Sequence, residues 1–393
     1  MDWRFSRMAG RMKSSVIRET LKITKKPGII SFGGGLPASE LFPSEELIEA
    51  STKVLKENSS NALQYATTEG YPKLRKAIAD VLADEGISAS PDDILITGGS
   101  QQGLDLVGRI FIDEGETVVT AEPTYLGAIQ AFNAFNPRYI TLPSDDDGMT
   151  VDGLEELVEK NRPRFIYLVP TFQNPDGRTL PLSRRKKIVE IAKKYSVPII
   201  EDDPYSYLFY EGTVPPPIKS IYPDGTILLG TFSKLLAPGL RIAWTVAPCE
   251  AYEKLVKQKQ GADLHTNTFA QYVVYEYLAA GHLKQHIEDV KKLYSRRMKI
   301  MLECIERYFP EEVSWTKPTG GLFLWVVLPE KVNATELLPK AVENNVAYIP
   351  GSAFYPNGGG HNTIRMNFSK PTESEIEIGI KKLGEVFKEA LKK

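Results

Sequence analysis

One short segment, residues 231–241, concentrates side chains that could carry out covalent chemistry. Lys234 follows the hydroxyl groups of Thr231 and Ser233, and the guanidinium of Arg241 closes the segment. A lysine amine can form an imine with an aldehyde, and neighbouring hydroxyl and guanidinium groups can hold a phosphate. This combination is typical of a site for pyridoxal phosphate (PLP).

Two upstream segments, residues 165–177 and 197–205, each change from an apolar run to a polar turn. The pattern predicts two strands whose carboxyl ends present Asn174 and Asp202, with Tyr205 in the second turn. Ligands of open α/β sheets bind at the carboxyl ends of the strands. These three side chains are therefore candidates for the same site as the lysine.

In order and spacing, the three segments resemble the class I/II aminotransferase family, the fold-type-I PLP enzymes. The resemblance extends from residues 30–37 to residues 364–369, which is nearly the whole chain. It is strongest to the branch that holds 2-aminoadipate, kynurenine and broad aromatic aminotransferases. It implies ping-pong transfer of an α-amino group between an amino acid and a 2-oxo acid, with 2-oxoglutarate and glutamate as the expected pair.

The resemblance implies chemical roles for four residues. Lys234 would form the imine and carry the proton between the substrate α-carbon and the cofactor, and partial burial and a nearby cation would lower its pKa. Asp202 would keep the pyridine nitrogen protonated. Asp203 is a rival, but the Asp-x-x-Tyr pattern selects Asp202. Asn174 and Tyr205 would donate hydrogen bonds to the 3′-oxygen, although an Asn-Pro turn by itself is common.

The phosphate of PLP is expected to be shared by several side chains, namely Ser100, Gln101, Thr231, Ser233 and Arg241. Residues 94–104 predict a strand, a glycine turn and a helix start, which directs free backbone N–H groups and the helix dipole at one anion. A dinucleotide is not expected, because this segment lacks G-x-G-x-x-G. No P-loop pattern occurs in the chain either.

Three further residues are candidates for positioning the ring and the substrate. By resemblance, Tyr125 would stack on the ring, although a tyrosine after a strand more often simply packs. Arg365 would bind the substrate α-carboxylate through two parallel hydrogen bonds, and the alternative is an exposed arginine at a strand end. Gly35 would close over the same carboxylate with its backbone, or would only mark a flexible three-glycine turn.

Two residues bear on oligomeric state and specificity. Tyr65 matches a family tyrosine that reaches the phosphate of the neighbouring subunit, which implies a homodimer with shared active sites; the alternative is an ordinary loop tyrosine. Arg18 aligns roughly with a family arginine that binds a distal substrate carboxylate. It lies in a predicted helix, residues 14–22, and the sequence favours an arginine on the solvated face of that helix.

The composition excludes several other classes of protein. The 393 residues include 48 Lys and Arg against 50 Asp and Glu, and neither sign forms a block suited to nucleic acid or a membrane surface. Two distant cysteines predict neither a disulfide framework nor a metal site. Because we find no apolar leader and no apolar run long enough to span a membrane, we expect a cytoplasmic protein.

Alternating strand and helix patterns favour an α/β fold, with a mostly parallel sheet and helices on both faces. Six strands are predicted, at residues 94–97, 118–121, 164–169, 198–201, 226–230 and 242–246. The resemblance implies a seven-stranded sheet. It also implies three parts, which are an N-terminal segment that joins the small domain (1–43), a large PLP-binding domain (44–285) and a small α/β domain (286–393).

Fold alone does not fix the reaction, because fold-type-I proteins also include carbon–sulfur β-lyases, decarboxylases and transcription regulators. A regulator is disfavoured because the catalytic-type lobe is expected within about forty residues of Met1, less than the length of a DNA-binding module. A β-lyase acting on a cysteine-derived substrate is the alternative enzyme. A third interpretation is a binding or scaffold protein without PLP.

Overall fold

Strands and helices alternate through the chain in the structure, a computed structural model that describes residues 1, 3–12 and 28–392. The strands, in chain order, are β1 (Ile30–Ser31), β2 (Ile94–Thr97), β3 (Thr117–Glu122), β4 (Arg138–Asp145), β5 (Gly148–Met149), β6 (Phe165–Leu168), β7 (Ile199–Asp203), β8 (Thr226–Thr231), β9 (Ala243–Val246), β10 (Ser314–Trp315), β11 (Phe323–Val327), β12 (Val346–Ala347), β13 (Ile349–Pro350) and β14 (Thr363–Asn367).

The α-helices of the described ranges separate most of these strands. They are α1 (Arg7–Arg11), α2 (Ser44–Glu57), α3 (Ser59–Ala62), α4 (Pro72–Ala83), α5 (Ser100–Phe111), α6 (Leu126–Asn133), α7 (Leu154–Asn161), α8 (Leu182–Tyr195), α9 (Ile218–Ile221), α10 (Cys249–Asp263), α11 (Thr268–Ala279), α12 (His282–Tyr308), α13 (Ala334–Glu343) and α14 (Glu373–Leu391).

A sheet of eight strands, in the order β2-β9-β8-β7-β6-β3-β4-β5, forms the larger part of the fold. The strands from β8 through β7, β6 and β3 to β4 are parallel, and the remaining pairs are antiparallel. The predicted mostly parallel α/β fold is confirmed, and the two-residue β5 extends the expected seven strands by one. All six predicted strands are present within two residues of their expected bounds, whereas β4 was not predicted.

Side chains of this sheet alternate between two apolar cores, one on each face. Phe165 and Tyr167 of β6 belong to the first core, and Ile166 and Leu168 belong to the second. The first core includes apolar side chains of α5, and the second includes those of α7 and α8. Because helices cover both faces, the central strands consist almost entirely of buried residues.

A second, antiparallel sheet, β10-β11-β14-β13, forms what we call the small lobe, together with α13, α14 and the β1-β12 pair. α14 packs along the long helix α12, and a capping box between Thr372 and Glu375 fixes its first turn. β1 runs parallel to β12, with Ile30 opposite Val346. The first strand of the described residues therefore belongs to the lobe formed by the last third of the chain.

The helix predicted over residues 14–22 lies outside the described residues. Before it, the five-residue α1 is joined to the turn between α5 and β3 by an ion pair between Arg11 and Glu114. Among the helices of the described ranges, none combines the length and the apolar character that a membrane crossing requires.

Gly177 lies at a close contact between the large sheet's lobe and the small lobe. Its φ is +73°, and a Cβ there would lie 2.5 Å from the carbonyl oxygen of Phe323 on β11, whereas Gly212 (φ +71°) has open space around it. Gly212→Ala should cost about 1 kcal/mol of unfolding free energy for the left-handed backbone alone. Gly177→Ala should cost about 3 kcal/mol, because overpacking is added. Urea unfolding measures both, and equal losses would contradict the close approach.

Candidate active site

Three parallel strands of the large sheet end at one cavity of about 310 Å³. β6 leads to Asn174, β7 carries Asp202 near its end, and β8 leads to Lys234. The cavity also has Val169, Pro204 and Pro238 in its wall. Ten of the residues predicted from the sequence line it: Ser100, Gln101, Tyr125, Asn174, Asp202, Tyr205, Thr231, Ser233, Lys234 and Arg241.

Asp202 is a buried carboxylate with only one of its two oxygens in use. The hydroxyl of Tyr167 on β6 donates a hydrogen bond of 2.9 Å to Oδ2, and Oδ1 has no hydrogen-bond partner among the described residues. The pKa of Asp202 is raised to about 7, mainly by burial; the Tyr167 hydrogen bond opposes this rise, and the nearby Asp203 adds to it. Oδ1 is therefore ready to accept a hydrogen bond from a protonated ring nitrogen.

Tyr167 is a functional candidate that the sequence reasoning missed. It lies in an apolar run and is itself buried, so the pattern indicates only one more core residue of a strand. A usable signal was present: its hydroxyl needs a partner when buried, and parallel neighbouring strands bring β6 and β7 side chains together.

Lys234 is held by the N-terminal glycine segment. Its Nζ donates a hydrogen bond of 2.7 Å to the carbonyl oxygen of Gly35. The pKa of Lys234 is lowered to about 8, mainly by burial and in addition by the positive charges of Arg365 and Arg241. The direction agrees with the prediction, and it makes the uncharged, nucleophilic amine far more abundant near neutral pH than in a free lysine.

The end of the cavity next to α5 has the features of an anion site. Gly99 has φ +95° and precedes α5, so the first N–H groups of that helix are free of intrahelical partners. Ser100 contributes a buried hydroxyl with no partner among the described residues. Thr231 Oγ1 donates to Ser233 Oγ at 3.0 Å, and Arg241 Nη2 donates to the carbonyl oxygen of Gly98 at 3.0 Å.

Tyr125 and Gln101 are fixed by the start of α6. A Cβ at Gly127 would lie 2.4 Å from Cζ of Tyr125, so the ring packs where only a glycine leaves room. Gln101 Nε2 donates a hydrogen bond of 2.8 Å to the carbonyl oxygen of Gly127. Burial raises the pKa of Tyr125 to about 12, and burial also raises the pKa of Tyr205. Both phenols therefore remain protonated donors at neutral pH.

Arg365 is buried in the middle of β14, so the alternative of an exposed arginine at a strand end is wrong. Nη1 donates to Asn174 Oδ1 at 2.9 Å, and Nη2 donates to the carbonyl oxygen of Gly33 at 2.7 Å. The guanidinium carbon lies over the rings of Phe323 and Phe354, 4.4 and 5.1 Å from their centroids. Burial lowers its pKa to about 10.

The other predicted residues lie in different surroundings. Gly35 adjoins the cavity through Lys234, and a Cβ there would lie 2.9 Å from Cζ of Phe323. Tyr65 is 78% exposed and lies outside the cavity, with its ring edge-on to His265. Arg18 lies outside the described residues.

A larger cavity, of about 900 Å³, lies between α4, α11 and α12 and does not include these groups. Its wall is mostly apolar, with Lys73 over the ring of Tyr275 and Lys291 over the ring of Phe209. We assign the active site to the smaller cavity because it gathers the reactive amine, the buried carboxylate and the anion site.

Comparisons with known proteins agree with this architecture. Residues 28–383 match the family of class I and II aminotransferases. The chain is 45% identical to a 2-aminoadipate transaminase of Thermus thermophilus, covering 98% of this chain and 96% of the relative. It is 44% identical to aromatic-amino-acid aminotransferase 1 of Thermococcus litoralis, covering 99% and 95%.

A similar protein of known structure contains a derivative of the cofactor. An α-aminoadipate aminotransferase of Thermus thermophilus, in complex with N-(5′-phosphopyridoxyl)-L-leucine, superimposes with a TM-score of 0.93 at 43% identity, covering 99% of this chain and 98% of that one. Fold and likeness together define a fold-type-I enzyme that depends on PLP. Within that class, the chain belongs to the class I and II aminotransferase family, and the protein is an aminotransferase. The β-lyase alternative is not favoured.

The polar atoms of the cavity fit this cofactor. Bound PLP supplies an aldehyde carbon and an electron-withdrawing ring. Asp202 Oδ1 is an unpaired acceptor for the ring nitrogen, and the unpaired Ser100 hydroxyl lies where α5 begins, which suits the phosphate; both are without partners among the described residues. The amine of Lys234 lines the same cavity. The unpaired oxygens of Asp202 and Ser100 cost free energy that a bound partner would recover.

Asp202→Asn should stabilise the PLP-free protein while it abolishes amino transfer. Burial raises the pKa of Asp202 from 3.8 to about 7, so between these values the folded protein holds a proton that the unfolded chain has released. The parent's stability therefore falls as pH rises through this window, and above it a buried, uncompensated charge remains. At about pH 8 the variant should be about 2 kcal/mol more stable.

Urea unfolding of the PLP-free proteins near pH 5 and near pH 8 measures this gain, which should be smaller at the lower pH. Asp80→Asn, at an exposed carboxylate paired with Lys76, is the matched control and should change stability little at either pH. A loss of stability at the higher pH, or a gain that does not depend on pH, would contradict the charge argument.

Proposed function

We propose that the protein transfers α-amino groups from aromatic amino acids or 2-aminoadipate to a 2-oxo acid, with 2-oxoglutarate as the acceptor. The observation that carries this proposal is Arg365. It is only 1% exposed, and no carboxylate pairs with it among the described residues. Buried arginines normally face an acidic partner, and a substrate α-carboxylate is the anion that would complete this site.

The remaining residues have complementary tasks in this proposal. Lys234 Nζ holds and moves the proton at the substrate α-carbon, because its lowered pKa allows both uptake and release near neutral pH. Asp202 keeps a proton on the ring nitrogen. Asn174 and Tyr205 hydrogen-bond the 3′-oxygen, and Tyr125 packs on the ring face.

The phosphate is proposed to be held by the start of α5 and the segment after β8. The groups involved are Ser100, Gln101, Thr231, Ser233 and Arg241. The backbone of Gly35 covers the substrate carboxylate, which excludes water from the reacting atoms. The preference for aromatic and 2-aminoadipate donors is supported by the two relatives at 44–45% identity, which are named for those substrates. In this proposal Arg18 meets a distal substrate carboxylate.

We also propose a cytoplasmic homodimer with shared active sites. Tyr65 is supported as a contact to the partner subunit by its exposure and by the exposed apolar side chains of Leu63 and Leu264. The three proposed parts of each subunit are residues 1–43, 44–285 and 286–393. The second boundary falls within α12, which makes that helix the connection between the large domain and the small one.

The reaction is tested by giving the PLP-loaded enzyme an amino donor alone. With tyrosine or 2-aminoadipate, the cofactor should be converted once to pyridoxamine phosphate and then stop, and 2-oxoglutarate should restore it. A β-lyase would instead release pyruvate and ammonia continuously from a cysteine-derived donor. Absorbance follows the cofactor, and Lys234→Ala is the control that should do neither.

Shared active sites predict that two inactive variants complement each other. Lys234→Ala and Tyr65→Ala subunits are unfolded together and refolded as a mixture. Each hybrid dimer then has one site with both Lys234 and the Tyr65 of the opposite subunit, so the mixture should regain about a quarter of the parent activity, from half of the dimers with one of two sites intact. Refolding each variant alone is the control. No gain in the mixture would mean that Tyr65 acts within its own subunit.

A further inference from the structure

An ion pair between a buried lysine and a surface aspartate lies behind the anion site and outside the cavity wall. Lys259 on α10 is 0% exposed, and its Nζ contacts Asp263, one helical turn on, at 2.9 Å. A buried ammonium costs free energy unless it is paired and hydrogen-bonded, and the side chain of Asp263, 34% exposed, supplies that pairing from the surface. Neither residue lines the cavity, so any effect of the pair on the site must pass through the residues that it contacts.

The pair holds the side-chain amide of Gln102. Lys259 Nζ donates a hydrogen bond of 2.9 Å to Gln102 Oε1, and Gln102 Nε2 donates one of 2.7 Å to Asp263 Oδ2. Gln102 Oε1 also accepts the backbone N–H of Gly98 at 2.7 Å. Both ends of the amide are therefore fixed by charged groups, which gives it a single orientation.

The Gln102 amide restrains the Gly98-Gly99 turn, whose backbone would otherwise have wide conformational freedom. Gly98 and Gly99 are consecutive glycines, which have the greatest backbone freedom of any residues, and Gly99 has φ +95°. The carbonyl oxygen of Gly98 accepts the hydrogen bond from Arg241 Nη2. A Cβ at Gly99 would lie 2.0 Å from that nitrogen, so the turn and the guanidinium pack directly together.

We propose that Lys259, Asp263 and Gln102 are positioning residues that hold the Gly98-Gly99 turn, and through it Arg241, in the geometry that binds the phosphate of PLP. This inference rests on the proposed phosphate role of Ser100 and Arg241. None of the three residues lines the cavity, so they would act through the turn and Arg241. Their effect is confined to the phosphate end of the site, which distinguishes it from a general contribution to folding.

The test compares PLP with pyridoxal, which has the same ring and aldehyde but no phosphate. Lys259→Met keeps the length of the side chain and removes its charge and its hydrogen bonds. Lys257→Met, on the exposed side of the same helix, is the matched control. Dissociation constants of both compounds are measured by absorbance titration of the PLP-free proteins.

In Lys259→Met the dissociation constant for PLP should rise at least about tenfold, and that for pyridoxal should stay within about twofold of the parent. Lys257→Met should change neither. Equal weakening of both compounds, or no change for PLP, would overturn the proposal. If Lys259→Met does not fold, Gln102→Met carries the same expectation, since it removes the amide that contacts Gly98.

The parent enzyme separates a failure of this inference from a failure of the proposed site. Borohydride reduction and peptide mapping should place the PLP label on Lys234, and the parent should bind PLP more tightly than pyridoxal. A label elsewhere, or equal affinity for the two compounds, would overturn the proposed site, and the positioning role with it. A parent that behaves as expected, beside a Lys259→Met variant that retains the preference for PLP, would overturn the positioning role alone.

Discussion

The site holds three ionisable groups, of which Asp202 and Arg365 are buried and Lys234 is partly buried, and within the described part of the chain none of them is paired with an opposite charge. Lys234 donates to the carbonyl oxygen of Gly35, Asp202 accepts from the hydroxyl of Tyr167, and Arg365 contacts neutral oxygens and aromatic rings. Removing each charge from water costs several kcal/mol, against a net stability of about 5–15 kcal/mol for a whole protein. The two apolar cores must offset this cost, and charged ligands recover part of it.

Much of the fold could be predicted from the sequence because the central strands are buried on both faces. Short apolar runs such as Ile94–Thr97 have no amphipathic competitor and stop at polar turns, so their positions were predicted closely. β4 was missed for the opposite reason: at the edge of the parallel strands, Arg138–Asp145 has only one fully buried residue and includes a proline. The sequence also predicted that Asn174, Asp202 and Lys234 share one site. They lie at or after the carboxyl ends of β6, β7 and β8, and the carboxyl ends of parallel strands meet at one edge of the sheet.

Contacts between the lobes could not be derived from local patterns. Arg365 and Asn174 are hydrogen-bonded across a long stretch of sequence, and nothing near either residue indicates the other. The same limit applies to Lys259, which looks like one more lysine of a charged helix and yet is fully buried beside Gln102. The role of Tyr167 could not be predicted for another reason: in an apolar strand, a buried tyrosine and a buried phenylalanine give the same hydrophobic pattern. Burial of polar atoms is a property of the assembled fold.

The pairing of β1 with β12 has a consequence for how the protein is made. Ile30 and Val346 are paired neighbours in space but are separated by most of the chain. During synthesis on a ribosome, β1 emerges early and stays unpaired until β12 has been translated, after all strands of the large sheet. The small lobe is thus the last region to assemble. Pairing between strands so far apart in sequence slows folding, and during that time the unpaired β1 is a segment that chaperones can bind.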